Sequence, residues 1–134
     1  MEAKPLLERL TQAHGVAGYE GDVRAVVREV LGPLVDEMRV DALGNVIAVK
    51  RGTGAEPRRR LLLAGHMDEI GIMVTYIDDN GFLRFSAIGG VSRYDSIGQR
   101  VKFKNGVVGA VYYEEKLDDI KNLQLSKMYI DIGA

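Results

Sequence analysis

Two ionisable residues, His66 and Asp68, follow directly on an apolar run in this sequence. In an extended chain, residues two positions apart point to the same side, so the imidazole and the carboxylate can meet. One ring nitrogen can then bind a metal ion while the other donates a hydrogen bond to the carboxylate, which fixes the tautomer. A hydrogen-bonded pair without a metal is the more common arrangement for this spacing alone. Glu69 points away from both and is a weaker candidate.

The element that must position this pair is the apolar run 61–64, which contains three consecutive leucines and an alanine. Such a run is typical of a strand buried on both faces of a parallel or mixed sheet. Gly65 then ends the run, and polar residues follow at once. Because open α/β sheets bind ligands at the carboxyl ends of their strands, we expect His66 and Asp68 to lie at the edge of a cleft.

The composition limits the classes of function that the chain can have. Its 134 residues are 46% hydrophobic and 28% charged with a net charge of −1, which suits one or two small globular units and gives no field that attracts nucleic acid or a membrane surface. With no cysteine, a metal must be held by His, Asp or Glu. No apolar run approaches the length of a membrane span and no signal pattern opens the chain, so we expect a soluble cytoplasmic protein.

Helical periodicity in the first half of the chain predicts helices at 4–13 and 19–31. A hairpin over 38–49 follows. The second half alternates β-prone segments with turns, which predicts a small all-β unit, barrel-like or half-barrel. Its expected strands are 70–77, 82–88, 100–104, 107–113 and 128–132, with turns at 78–81 and at Asn105-Gly106. One further helix is expected over 114–123.

Several short motifs, in order along the chain, resemble the di-zinc aminopeptidases that assemble into tetrahedral dodecamers. This family includes deblocking and glutamyl aminopeptidases and members once labelled endoglucanase. The central motif is Gly-His-Met-Asp-Glu-Ile-Gly at 65–71. The others lie at 15–20, 41–46, 80–85, 88–91 and 130–134. The resemblance therefore covers essentially the whole chain.

The resemblance implies an α/β fold, with the N-terminal portion of an α/β/α zinc-peptidase domain at 1–69 and an incomplete all-β, PDZ-like insert domain at 70–134. It implies that His66 is a metal ligand and that Asp68 is a catalytic residue that orients it. The implied cofactors are two divalent metal ions, zinc or cobalt. The implied partners are peptide substrates and other copies of the chain, bound through the β-rich domain, with no nucleic acid and no membrane. The implied reaction is removal of N-terminal residues from peptides.

No residue of this chain matches the family's bridging aspartate, general-base glutamate or further metal ligands, so we expect the chain alone to be inactive. A non-catalytic, self-associating fragment is the alternative interpretation. A glycosidase is less favoured, because no pair of carboxylates is fixed across a sugar site. The adjacent acids at 78–79, 114–115 and 118–119 are expected to be solvated turn residues, since neighbouring side chains in a strand or turn point apart.

Overall fold

The computed structural model describes residues 2–114 and 122–134. It divides into two compact units, Met1–Asp68 and Glu69–Ala134. None of the helices in these described ranges has the length and apolar character needed to cross a bilayer.

The first unit pairs two helices with one hairpin. The helices are α1 (Ala3–Gln12) and α2 (Gly21–Leu31), and a short 3-10 turn (Gly32–Leu34) follows α2. Strands β1 (Glu37–Val40) and β2 (Val46–Val49) are antiparallel, as the turn residues between them predict. Little of this unit is sealed from solvent, because Val23 of α2, at 5% exposure, is its one buried hydrophobic side chain in the described ranges.

The predicted buried strand over 61–64 is wrong. The segment forms no strand, and Leu61, Leu62 and Leu63 are 84%, 87% and 84% exposed. A strand exists only when a neighbour satisfies its backbone hydrogen bonds. Within the described part of the first unit, the strands β1 and β2 pair with each other. An apolar run predicts that side chains avoid water, but it does not provide the neighbour that would cover them.

The second unit is a five-stranded antiparallel sheet that curls into a half-barrel, as the β-rich pattern predicted. Its strands are β3 (Gly71–Ile77), β4 (Leu83–Ile88), β5 (Arg100–Lys102), β6 (Val108–Tyr113) and β7 (Met128–Asp131), in the order β3-β4-β7-β6-β5. The last strand in sequence therefore lies in the middle of the sheet. A helix α3 (Arg93–Ser96) was not predicted, because a single turn is too short to show helical periodicity. Most of the expected helix over 114–123 lies outside the described residues.

The core of the second unit forms on one face of its three central strands. Leu83 of β4 and Val111 of β6 both pair with Ile130 of β7, which places the three side chains side by side. Ile130 is fully buried, and Phe85 and Met128 extend the same cluster. Alternation along each strand directs the intervening residues to the opposite face.

Asp78 is not the solvated turn residue that the sequence predicted. Its side chain is 14% exposed and accepts hydrogen bonds from Arg84 Nε and Nη2 at 2.8 and 2.6 Å. The backbone N–H groups of Asn80 and Phe82 donate to its other oxygen, both at 3.0 Å. Burial opposes ionisation, but these hydrogen bonds outweigh it and hold the pKa of Asp78 below its ordinary 3.8. Arg84 also pairs with Glu114, so a partly buried ion cluster closes this hairpin.

Candidate functional site

The structure brings together the two residues that the sequence singled out. Nδ1 of His66 lies 3.1 Å from Oδ1 of Asp68 and 3.0 Å from the backbone carbonyl oxygen of the same residue. The His66 side chain is 86% exposed and that of Asp68 is 44% exposed. The pair is therefore neither turned apart nor sealed in the interior, and it is open to a ligand from solvent.

The contacts of His66 determine its neutral tautomer. Both groups that face Nδ1, a carbonyl and a carboxylate oxygen, are acceptors. Nδ1 must therefore carry the proton, which leaves the lone pair on Nε2. A neutral imidazole with a free Nε2 and a carboxylate behind Nδ1 has the donor chemistry of a metal-binding histidine. The same arrangement increases the electron-donating strength of the ring.

Glu20 lies close to this pair, and the sequence did not single it out as a site residue. Its side chain accepts a hydrogen bond from the backbone N–H of Gly18 at 2.6 Å and faces Arg24 at 3.6 Å. The hydrogen bond from Gly18 lowers the pKa of Glu20, and the negative charge of Asp68 acts against this lowering. In the sequence, Glu20 is the last residue of the motif at 15–20.

The described residues do not form a complete metal cage. In 2–114 and 122–134, no three His, Cys, Asp or Glu side chains converge as a group that could hold an ion. A catalytic zinc site usually has three protein ligands. His66 and Asp68 are therefore at most one part of such a site.

The second unit contains a separate concavity of about 360 Å³. Its walls are mainly apolar and include Ile72, Phe85 and Val101, while Ser92 and Ser96 contribute hydroxyl groups. These hydroxyls have local partners, since Ser92 Oγ accepts from the N–H of Asp95 at 3.4 Å and Ser96 Oγ donates to the carbonyl of Ser92. The concavity contains none of the residues predicted for chemistry.

Comparison with known proteins matches residues 44–134 to the model of the M42 glutamyl aminopeptidases. A provisionally named aminopeptidase of Acetivibrio thermocellus is 67% identical over 96% of this chain and 38% of its own length. Among solved structures, the TET aminopeptidase of a marine sediment archaeon (Thaumarchaeota) superposes with a TM-score of 0.84 at 35% identity, over 98% of this chain and 38% of that one. The TET1 peptidase of Pyrococcus horikoshii is described as assembling into a tetrahedron or an octahedral shell. It superposes with a TM-score of 0.79 at 31% identity, over 99% of this chain and 41% of that one.

The fold of the chain is that of the TET aminopeptidases, because the chain superposes on such a backbone along nearly its whole length. The sequence match is narrower: the chain belongs to the M42 glutamyl aminopeptidase family. The predicted family and the predicted α/β fold class with a half-barrel sheet are confirmed. The chain spans about two fifths of the length of the relatives that it matches.

Proposed function

We propose that this chain contributes to a metal-dependent aminopeptidase that removes residues from the N-terminus of peptides. Membership of the M42 family supports the reaction class. The observation that carries the proposal is the contact of His66 Nδ1 with Asp68 Oδ1 at 3.1 Å, in a segment inside the family match. This contact leaves Nε2 available to a metal ion, as such an enzyme requires.

His66 would hold one of two divalent ions, zinc or cobalt, through Nε2. Asp68 would orient the ring by accepting a hydrogen bond from Nδ1–H. A divalent ion at such a site supplies Lewis acidity toward a peptide carbonyl and lowers the pKa of a water molecule. The exposure of the His66 ring supports its access to both an ion and a substrate. Residue preference at the peptide N-terminus would be set by residues outside these 134.

We further propose that the 134 residues alone do not turn over a peptide. One histidine with one carboxylate does not reach the three ligands of a catalytic zinc site. A chain of this length would bind an ion only weakly, because metal affinity depends on a preformed and complete ligand set. The missing ligands would come from the other three fifths of the length of the family members.

A chimera tests the proposal directly. In it, this chain replaces the matching segment of the Acetivibrio thermocellus relative, and hydrolysis of aminoacyl anilides is measured with added zinc or cobalt. We expect turnover by the chimera and none by the 134-residue chain. His66→Gln should abolish turnover, while His14→Gln, which changes the other histidine of this chain, should leave it intact. An active chimera that tolerates His66→Gln would refute the metal-ligand assignment.

Self-association through the second unit is also part of the proposal. Strand β3 lies at an edge of the sheet, and its side chains Met73, Tyr76 and Ile77 are 55–65% exposed. An apolar strand edge presents unpaired backbone groups and favours pairing with another chain. The assemblies described for TET1 of Pyrococcus horikoshii support this interpretation.

A further inference from the structure

The loop between α1 and α2 approaches the predicted metal-site segment at Gly15. Gly15 is buried, and a Cβ added to it would lie 3.4 Å from the carbonyl oxygen of Met67 and 3.3 Å from Cγ1 of Val23. Met67 is the residue between His66 and Asp68. Gly15 therefore lies between a buried valine of α2 and the peptide group that links the two site residues.

The loop that carries Gly15 has a defined shape. The N–H of Tyr19 donates to the carbonyl of Val16 at 2.7 Å, which closes a tight turn. Gly18 adopts φ +88°, a conformation that favours glycine, and its N–H donates to the Glu20 carboxylate at 2.6 Å. The loop is thus tied to the start of α2, and it cannot give way freely if Gly15 is enlarged.

The wall behind Gly15 is equally fixed. Val23 is 5% exposed and belongs to a regular helix of eleven residues. A methyl group at position 15 would press on Val23 at 3.3 Å, which is closer than most carbon contacts in folded proteins. The loop would then move toward Met67, because that is the other wall of the gap.

We propose that Gly15 is a positioning residue for the metal site. Because Gly15 has no side chain, its loop can pack against the Met67 carbonyl. This packing holds the backbone of residues 66–68 in the conformation in which the His66 ring contacts Asp68. Gly15 acts through the backbone and touches neither an ion nor a substrate. The importance of this positioning for catalysis rests on the proposed function. The contact itself can be tested without any activity.

The test measures the tautomer of His66 by long-range ¹H–¹⁵N NMR of the labelled chain, at a pH about two units above the ordinary histidine pKa. With His14→Gln to assign the two imidazoles, wild-type His66 should show the Nδ1–H form. Gly15→Ala should lower the ratio of the Nδ1–H to the Nε2–H form about threefold or more, as expected for a weakened hydrogen bond. Gly21→Ala is the matched control, because a Cβ at Gly21 meets no atom within 4 Å.

Rescue distinguishes positioning from general damage. Val23→Ala removes the Cγ1 atom that crowds position 15, so the double variant Gly15→Ala/Val23→Ala should return toward the wild-type tautomer ratio. A folded Gly15→Ala chain with an unchanged ratio would overturn the proposal. So would a folded double variant that keeps the altered ratio, because crowding against Val23 would then not be the cause.

Zinc titration of the same variants, placed in the chimera because the 134 residues alone would bind an ion only weakly, separates this proposal from the proposed function. If His66 is a ligand, Gly15→Ala should weaken zinc binding about tenfold, as is typical when the support of a metal ligand is disturbed. If the chimera and its His66→Gln variant bind zinc equally, the metal assignment fails, but a tautomer change in Gly15→Ala would still establish positioning. An unchanged tautomer with zinc bound through His66 refutes the positioning role alone.

Discussion

Gly109 of β6 lies where the fold leaves no room for a side chain. A Cβ added there would lie 2.5 Å from Cγ2 of Ile130, 2.9 Å from the carbonyl oxygen of Asp131 and 3.1 Å from Cγ2 of Ile132. None of these atoms can move aside easily. Ile130 is fully buried at the centre of the core, and the Asp131 carbonyl belongs to the backbone of the neighbouring strand. Gly109→Ala must therefore separate β6 from β7 or shift the core.

Overpacking of this kind costs about 1–3 kcal/mol, and the contact with backbone places Gly109→Ala near the upper end. For a cooperative unit of this size, each kcal/mol shifts Tm by about 4–8 °C. We therefore expect Gly109→Ala to lower Tm by about 10–20 °C. Circular dichroism melts and urea titrations should agree, with a lower midpoint and an unchanged denaturant slope.

The matched control is Gly90→Ala in the same unit, where an added Cβ meets no atom within 4 Å. It should leave Tm within about 2 °C. The second control is a double-mutant cycle with Ile130→Ala, which removes the crowded Cγ2 atom. In that background, the loss of unfolding free energy caused by Gly109→Ala should be smaller by about 1 kcal/mol or more. A Gly109→Ala chain that melts with the wild type would refute the reasoning, because three close contacts would then have relaxed at no cost.

Three further predictions concern charge, metal and association. Asp78→Asn should lower Tm at neutral pH by removing the charged partner of Arg84. Because the folded pKa of Asp78 lies below its ordinary 3.8, its stabilisation is complete above that value and is lost as pH falls through the folded pKa, so the Tm difference should vanish in strong acid. If His66 is a metal ligand as proposed, Asp68→Asn in the chimera should weaken zinc binding about 10–100-fold by calorimetry. Replacing Met73 and Ile77 of the edge strand β3 with serines should reduce self-association of the chain in light scattering, and an unchanged mass would count against association through this edge.

The local pattern of the sequence was sufficient for most of the elements. Helical periodicity placed α1 and α2, and glycine-containing turns placed the hairpins, because these signals depend on neighbours within a few residues. The spacing of His66 and Asp68 likewise predicted their contact, since two residues in an extended segment share a side whatever surrounds them. Their roles toward a metal stay predictions.

Tertiary structure decided what depends on distant residues. The Leu61–Leu63 run looks buried by composition, yet it is exposed, because burial requires a neighbouring surface that local sequence cannot supply. Asp78 looks like a turn residue, yet Arg84 encloses it, because its partner lies on the returning strand. The central position of β7 and the approach of Gly15 to Met67 were also beyond local pattern. Periodicity reports which faces avoid water, and only the folded chain determines what each face meets.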